Sequence, residues 1–207
     1  VISIITGANS VSGAVTQAAS LQGHPLTPLA IILILIGAFT KSAQFPFHFW
    51  LPNAMAAPSP VSAYLHSATM VKAGVFLAAK LTPLFLAVEL WSDALLFFGG
   101  ITMIVAVSLA LKQQDLKKLL AYTTVGMLGT LMFLLGTGTE YGMTAFLMVL
   151  VSHSLYKATL FLTSGNVDHG AGTRDILKLG GLKSVMPMTA ASATIAAVSM
   201  LGVMPFL

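Results

Sequence analysis

Six stretches of roughly 20 predominantly apolar residues follow one another from Pro28 to the C-terminal end of this chain, each long enough to cross a bilayer. They run from about Pro28 to Met55, Pro60 to Leu81, Asp93 to Leu111, Leu116 to Gly136, Gly142 to Ser164, and Met186 to the end. Lipid offers no partner to a bare peptide group, so successive segments of this kind are helices. The predicted fold class is therefore all-α, a polytopic transmembrane helix bundle of about six spans. Residues 1–25 mix Ser, Gly, Asn and Gln with short apolar runs and read as the tail of a preceding span followed by a loop. Residues 26–207 form the transmembrane domain. The chain has no initiator Met and no signal-peptide pattern, so it is expected to be an internal piece of a longer protein.

Composition closes off the other classes. Charged residues make up 8% of the chain, against about 25% in a soluble domain, and the mean hydropathy is +0.91. With no cysteine there is no disulfide framework, thiolate metal site or Cys nucleophile. The net charge of +4 is spread through apolar sequence without a basic face, which excludes a nucleic-acid partner. Neither a phosphate-binding Gly-rich loop nor a GxSxG motif occurs, and no carboxylate pair falls inside a span. No cofactor, metal site or substrate chemistry is expected on this chain.

The acidic residues all fall in loops or at span ends, but three lysines do not. Lys41 lies in the first stretch, Lys72 about 18 Å into the second at helical rise, and Lys157 in the fifth. A lysine at a helix centre costs about 2.5–3.5 kcal/mol on insertion scales, so the three together cost on the order of 8–10 kcal/mol. Intramembrane ionisable residues that carry such a cost mark ion pathways and proton relays. Snorkelling to the interface is the competing reading for Lys157 and, less readily, for Lys72; Lys80, at a helix end, needs no other account.

Histidines stand beside two of these lysines. His66 precedes Lys72 by six residues, which on a regular helix sets the two about 120° apart. His153 and Lys157 are spaced i, i+4 and share a face. A histidine, which titrates near neutrality, beside a buried lysine forms a proton relay; packing is the commoner role of a lone membrane histidine. His24 and His169 are assigned to loops, and the five histidines show no metal-ligand spacing.

Four prolines, Pro46, Pro52, Pro58 and Pro60, crowd the segment from Phe45 to Val61 and break the helix near Pro46. Two readings remain open here: a discontinuous helix at a hydrated position inside the bundle, or a helix–loop–helix at the membrane surface. The basic loops, Lys112 to Lys118 and Gly165 to Val185, are separated by two spans and so share one side, read as cytoplasmic.

The run from Lys41 to Gly74, KSAQFPFHFWLPNAMAAPSPVSAYLHSATMVKAG, resembles the signature of the antiporter-like membrane subunits shared by Mrp monovalent-cation/proton antiporters and respiratory complex I. So do DLKKLLAYTTVG from Asp115 and SHSLYKATLFL from Ser152. The resemblance covers nearly all of residues 26–207 and implies a proton-translocating domain. It implies a discontinuous helix around Pro46, a channel lysine at Lys41, and pathway residues at His66, His153 and Lys157, with Lys72 a softer match. The segment from Val167, VDHGAGTRDILKLGGL, is similar to the A subunit of the Mrp branch. The implied partners are protons, monovalent cations, the lipid bilayer and the other membrane subunits of a hetero-oligomeric antiporter in a prokaryotic cell membrane. The alternatives are a proton-pumping membrane subunit of a complex I-like oxidoreductase and a non-conducting membrane scaffold.

Overall fold

A computed structural model describes residues 2–203. Two short helices, α1 (Ile2–Thr6) and α2 (Val11–Thr16), and a 3₁₀ turn at Ala18–Leu21 precede the first long apolar helix, α3 (Thr27–Lys41). The chain resumes helical form in α4 (Trp50–Asn53), a 3₁₀ turn at Ala54–Ala56, and α5 (Ser59–Ala63). It continues through α6 (Ala73–Phe85), α7 (Glu89–Ala110), α8 (Leu116–Gly136) and α9 (Glu140–Ala171). The short α10 (Leu182–Val185) leads into α11 (Pro187–Met200).

Among the described residues, four segments are long and apolar enough to cross a membrane: Ser59–Phe85, Glu89–Ala110, Leu116–Gly136 and Glu140–Ala171. Two shorter apolar helices, Thr27–Lys41 and Pro187–Met200, occupy the first and last expected spans. The polytopic all-α bundle is as the sequence predicts. Residues 204–207 of the sixth expected span lie outside the described residues. The histidine assigned to a loop at position 169 belongs instead to α9, which continues past Ser164 until Gly172 ends it at φ +67°.

Two breaks depart from regular helix. The first is the one expected near Pro46, and it begins earlier, at the end of α3. There Ser42 caps the helix, Ala43 turns to φ +48°, and Gln44 N–H donates to Phe39 C=O at 2.9 Å. This is a Schellman-type stop with alanine at the left-handed position. The second break differs from the sequence reading. The stretch from Pro60 to Leu81, read as one helix, passes through a π turn at Tyr64–Ala68 and a 3₁₀ turn at Met70–Lys72. Across it, Thr69 Oγ1 donates to Tyr64 C=O at 3.1 Å and Ser67 Oγ to Ala63 C=O, so two side-chain hydroxyls bond backbone carbonyls of the broken segment. Consequently the 120° relation between His66 and Lys72 does not hold.

Small residues bring α7 and α8 together. A Cβ on Gly99 would stand 2.7 Å from Phe133 N, and one on Gly129 would stand 2.9 Å from Gly99 O. Close backbone approach of this kind gives membrane helices their dispersion contact where lipid supplies no hydrophobic drive. Side chains facing away from the bundle, such as Leu29, Leu33, Phe97, Ile104 and Leu155, are exposed and apolar.

Candidate functional site: buried lysines around an unpartnered histidine

The face of α9 that meets the rest of the bundle carries Leu150, His153, Ser154, Lys157, Phe161 and Ser164, at the i+3/i+4 rhythm of one helical stripe. His153 and Lys157 are both 0% exposed, and His66 is 2% and Lys72 6% exposed. Four of the five sequence-predicted pathway residues are therefore buried within this one bundle.

Each buried ammonium is held across an interface by neutral oxygens. Lys72 Nζ, from the second break, donates to Leu150 C=O at 3.2 Å and to Ser154 Oγ, both on α9. Lys157 Nζ, from α9, donates to Leu120 C=O at 3.3 Å and to Thr123 Oγ1, both on α8. An ammonium has three donors, so each keeps one for a further partner. The three ion pairs among the described residues all lie outside this group, among Asp115, Asp168, Arg174, Asp175 and Lys178. Snorkelling is thus excluded for Lys72 and Lys157: both point inward, and neither has a carboxylate partner among the described residues.

The imidazoles are the complement of this arrangement. His153 makes no hydrogen bond through Nδ1 or Nε2, and His66 makes none through Nδ1. Tyr156 Oη, beside the edge-on His153 ring at a centroid separation of 5.4 Å, is buried and equally free. A buried polar atom left without a protein partner costs about 1–3 kcal/mol unless water serves it. An imidazole nitrogen can accept or release a proton near neutrality.

Lys41 behaves differently. As the last residue of α3 it is exposed. Pro46 lies in the turn after it, where Phe45 N–H donates to Thr102 Oγ1 at 3.0 Å and Ser42 Oγ accepts from Val75 N–H at 3.0 Å. Both contacts are internal to the bundle, which favours the buried-break reading of this segment over a surface loop.

One buried cation escapes the sequence reading. Lys117, assigned to a basic loop, is the second residue of α8, is 3% exposed, and donates to Ala57 C=O at 3.1 Å. Its only signal in the sequence is its place within the DLKK run. The two basic loops themselves meet: Leu116 N–H donates to Arg174 C=O at 3.0 Å and Ile176 N–H to Gln114 C=O at 2.9 Å, which places both at one end of the bundle.

With this geometry in view, the family described as NADH:quinone oxidoreductase/Mrp antiporter, transmembrane, matches residues 1–207. The chain belongs to that family. Curated relatives include the Na(+)/H(+) antiporter A subunit of Alkalihalophilus pseudofirmus, 46% identical over 98% of this chain, and the A1 subunit of the Na(+)/H(+) antiporter of Staphylococcus aureus, 47% identical over 99%. The chain spans 27% of the length of each. Among solved structures, the Mrp complex from Dietzia sp. DQ12-45-1b matches 98% of this chain and 22% of its counterpart at a TM-score of 0.91 and 40% identity. The membrane-bound sulfane sulfur reductase, an archaeal respiratory membrane complex, matches 98% of this chain and 42% of its counterpart at 0.84 and 27%. Family membership agrees with a multi-pass membrane chain.

Proposed function

We propose that this chain is a proton-translocating portion of the A subunit of an Mrp-type Na⁺/proton antiporter in a prokaryotic cell membrane. The observation that carries the reading is Lys157, a fully buried cation with only neutral oxygen partners, one helical turn from the unpartnered His153. Protons pass between Lys72, His66, His153 and Lys157 through waters that serve the free imidazole nitrogens. Lys41, on the open side of the bundle at the first break, exchanges protons with groups elsewhere in the full-length protein. The chain acts as part of a transporter rather than an enzyme, and its partners are the other membrane subunits of the antiporter.

Relatedness favours this branch over a complex I-like proton pump: the antiporter relatives are 46–47% identical, the respiratory complex 27%. A scaffold would gain nothing from burying Lys72 and Lys157. The test uses everted vesicles from an antiporter-deficient host that expresses the whole operon. A pH gradient is established and Na⁺ or K⁺ is added. Wild-type complexes collapse the gradient and Lys157→Ala complexes do not; equal collapse by assembled Lys157→Ala complexes overturns the reading.

A further inference from the structure

Between the buried polar group and the basic end of the bundle lies a small apolar cluster, separate from the main core. Met55, Ala63, Leu120, Ala121 and Phe161 form it, drawn from the 3₁₀ turn after α4, from α5, from α8 and from α9. All five are buried, and Phe161 and Ala121 are 0% exposed.

Polar groups flank this cluster on both sides in strict register. Along α8, Lys117 comes first, bound to Ala57 C=O; Leu120 and Ala121 follow; Thr123 comes next, bound to Lys157. The step from Lys117 to Thr123 is about 9 Å of helix. Along the opposed α9 the order is Lys157, then Phe161 one turn on, then Ser164. Ser164 Oγ is buried without a partner, and beside it Gly165 lies against Ser59. His66, whose Nδ1 is free, sits on the central side with its ring 6.3 Å from that of Phe161. Unpartnered polar atoms thus lie on each side of the layer, while its own side chains are hydrocarbon apart from the weakly accepting Met55 thioether.

We infer that this layer is a dry barrier in the proton path and that Phe161 is its gate, closing the Lys157–His66 side from the Lys117 end. The inference rests on the proton-path reading above. An apolar constriction flanked by polar groups excludes water and blocks conduction by dewetting, and a proton needs a continuous chain of water or titratable groups to cross. Phe161 is the largest member, spans the gap between α9 and the α5–α8 side, and touches a titratable ring on one face. Displacing it is the smallest change that joins the two wet sides. An exchanger needs such a barrier, because a permanently open water chain dissipates the gradient without moving a counter-cation.

The experiment measures passive proton leak in everted vesicles carrying the full complex, before any Na⁺ or K⁺ is added, normalised to assembled complex. Phe161→Ala raises this cation-independent leak at least tenfold, and Phe161→Leu, which keeps the site apolar, stays near wild type. Adding Lys157→Ala to Phe161→Ala returns the leak to background. An assembled Phe161→Ala complex with wild-type leak overturns the gate, as does a Phe161→Leu complex that leaks as much. If Phe161→Ala does not assemble, Met55→Ala opens the opposite wall, and a tight Met55→Ala complex overturns the gate in the same way. Lys157→Ala alone separates the two claims: intact antiport there removes the path itself, whereas lost antiport with a tight Phe161→Ala complex removes only the gate.

Discussion

Lys72 and Ser154, separated by 82 positions, share a hydrogen bond that ties the broken second span to α9. Ser154 Oγ in turn donates to Leu150 C=O at 2.7 Å, and that carbonyl also accepts from Lys72. The three groups close a small polar ring around a charge for which the described residues supply no counter-ion.

Ser154→Ala opens that ring. A hydrogen bond to a charged group contributes about 1.5–3 kcal/mol, so loss of the acceptor lowers the transport rate by about 10- to 100-fold, each 1.4 kcal/mol being tenfold in rate. Ser154→Thr, which restores a hydroxyl, recovers most of it. Initial rates of Na⁺-induced gradient collapse in vesicles, compared at equal complex content, check both outcomes.

Lys157→Met separates charge from packing. The thioether chain fills nearly the same volume and removes the desolvation cost of a buried charge that has no counter-ion among the described residues. Thermal unfolding of the purified complex is expected at the wild-type temperature or above, while antiport is lost. A complex that unfolds markedly earlier contradicts the account of Lys157 as a group retained for transport.

Gly99→Val forces the α7–α8 seam apart. The added carbon atoms meet Phe133 and Gly129 backbone atoms that have nowhere to go, and overpacking of this kind costs about 1–3 kcal/mol. Gly37, whose position has no atom within 4 Å of an added Cβ, tolerates alanine. Detergent-solubilised complexes assayed by differential scanning fluorimetry show a lowered midpoint for Gly99→Val and an unchanged one for Gly37→Ala.

Asp115→Ala weakens the basic end more than Arg174→Ala does. Asp115 accepts Lys118 N–H at 3.0 Å as the cap of α8, in addition to pairing with Arg174 at 3.4 Å. Loss of such a cap costs about 1 kcal/mol, whereas half-exposed ion pairs contribute roughly 0–1 kcal/mol. The same unfolding assay ranks the two variants; the reverse order contradicts the assignment of the cap as the dominant contact.

His153 and Lys157 are legible in the sequence because a charge and an imidazole inside an apolar stretch contradict the surrounding pattern. The break at Pro46 is legible because proline removes a donor at a known place. The second break is not, since Tyr64–Lys72 contains neither proline nor glycine. The hydroxyl groups of Ser67 and Thr69 that bond carbonyls within it look, in sequence, like ordinary packing residues. Lys117 escapes notice for the opposite reason: beside Lys118 and Asp115 it resembles a solvated loop residue, and only the carbonyl of Ala57, 60 positions away, reveals its burial. Lys41 reads as mid-span in the sequence, yet the helix stops at that residue because the backbone turns at Ala43, before the proline is reached.

Helix α9 runs unbroken for 32 residues, about 48 Å at helical rise, well beyond the roughly 30 Å of bilayer hydrocarbon. Along one side of it ride the acceptors of Lys72, the His153 ring, the Lys157 ammonium and the Phe161 ring. A stiff rod of that kind behaves as a camshaft: a small roll about its axis displaces all four stations in a fixed phase.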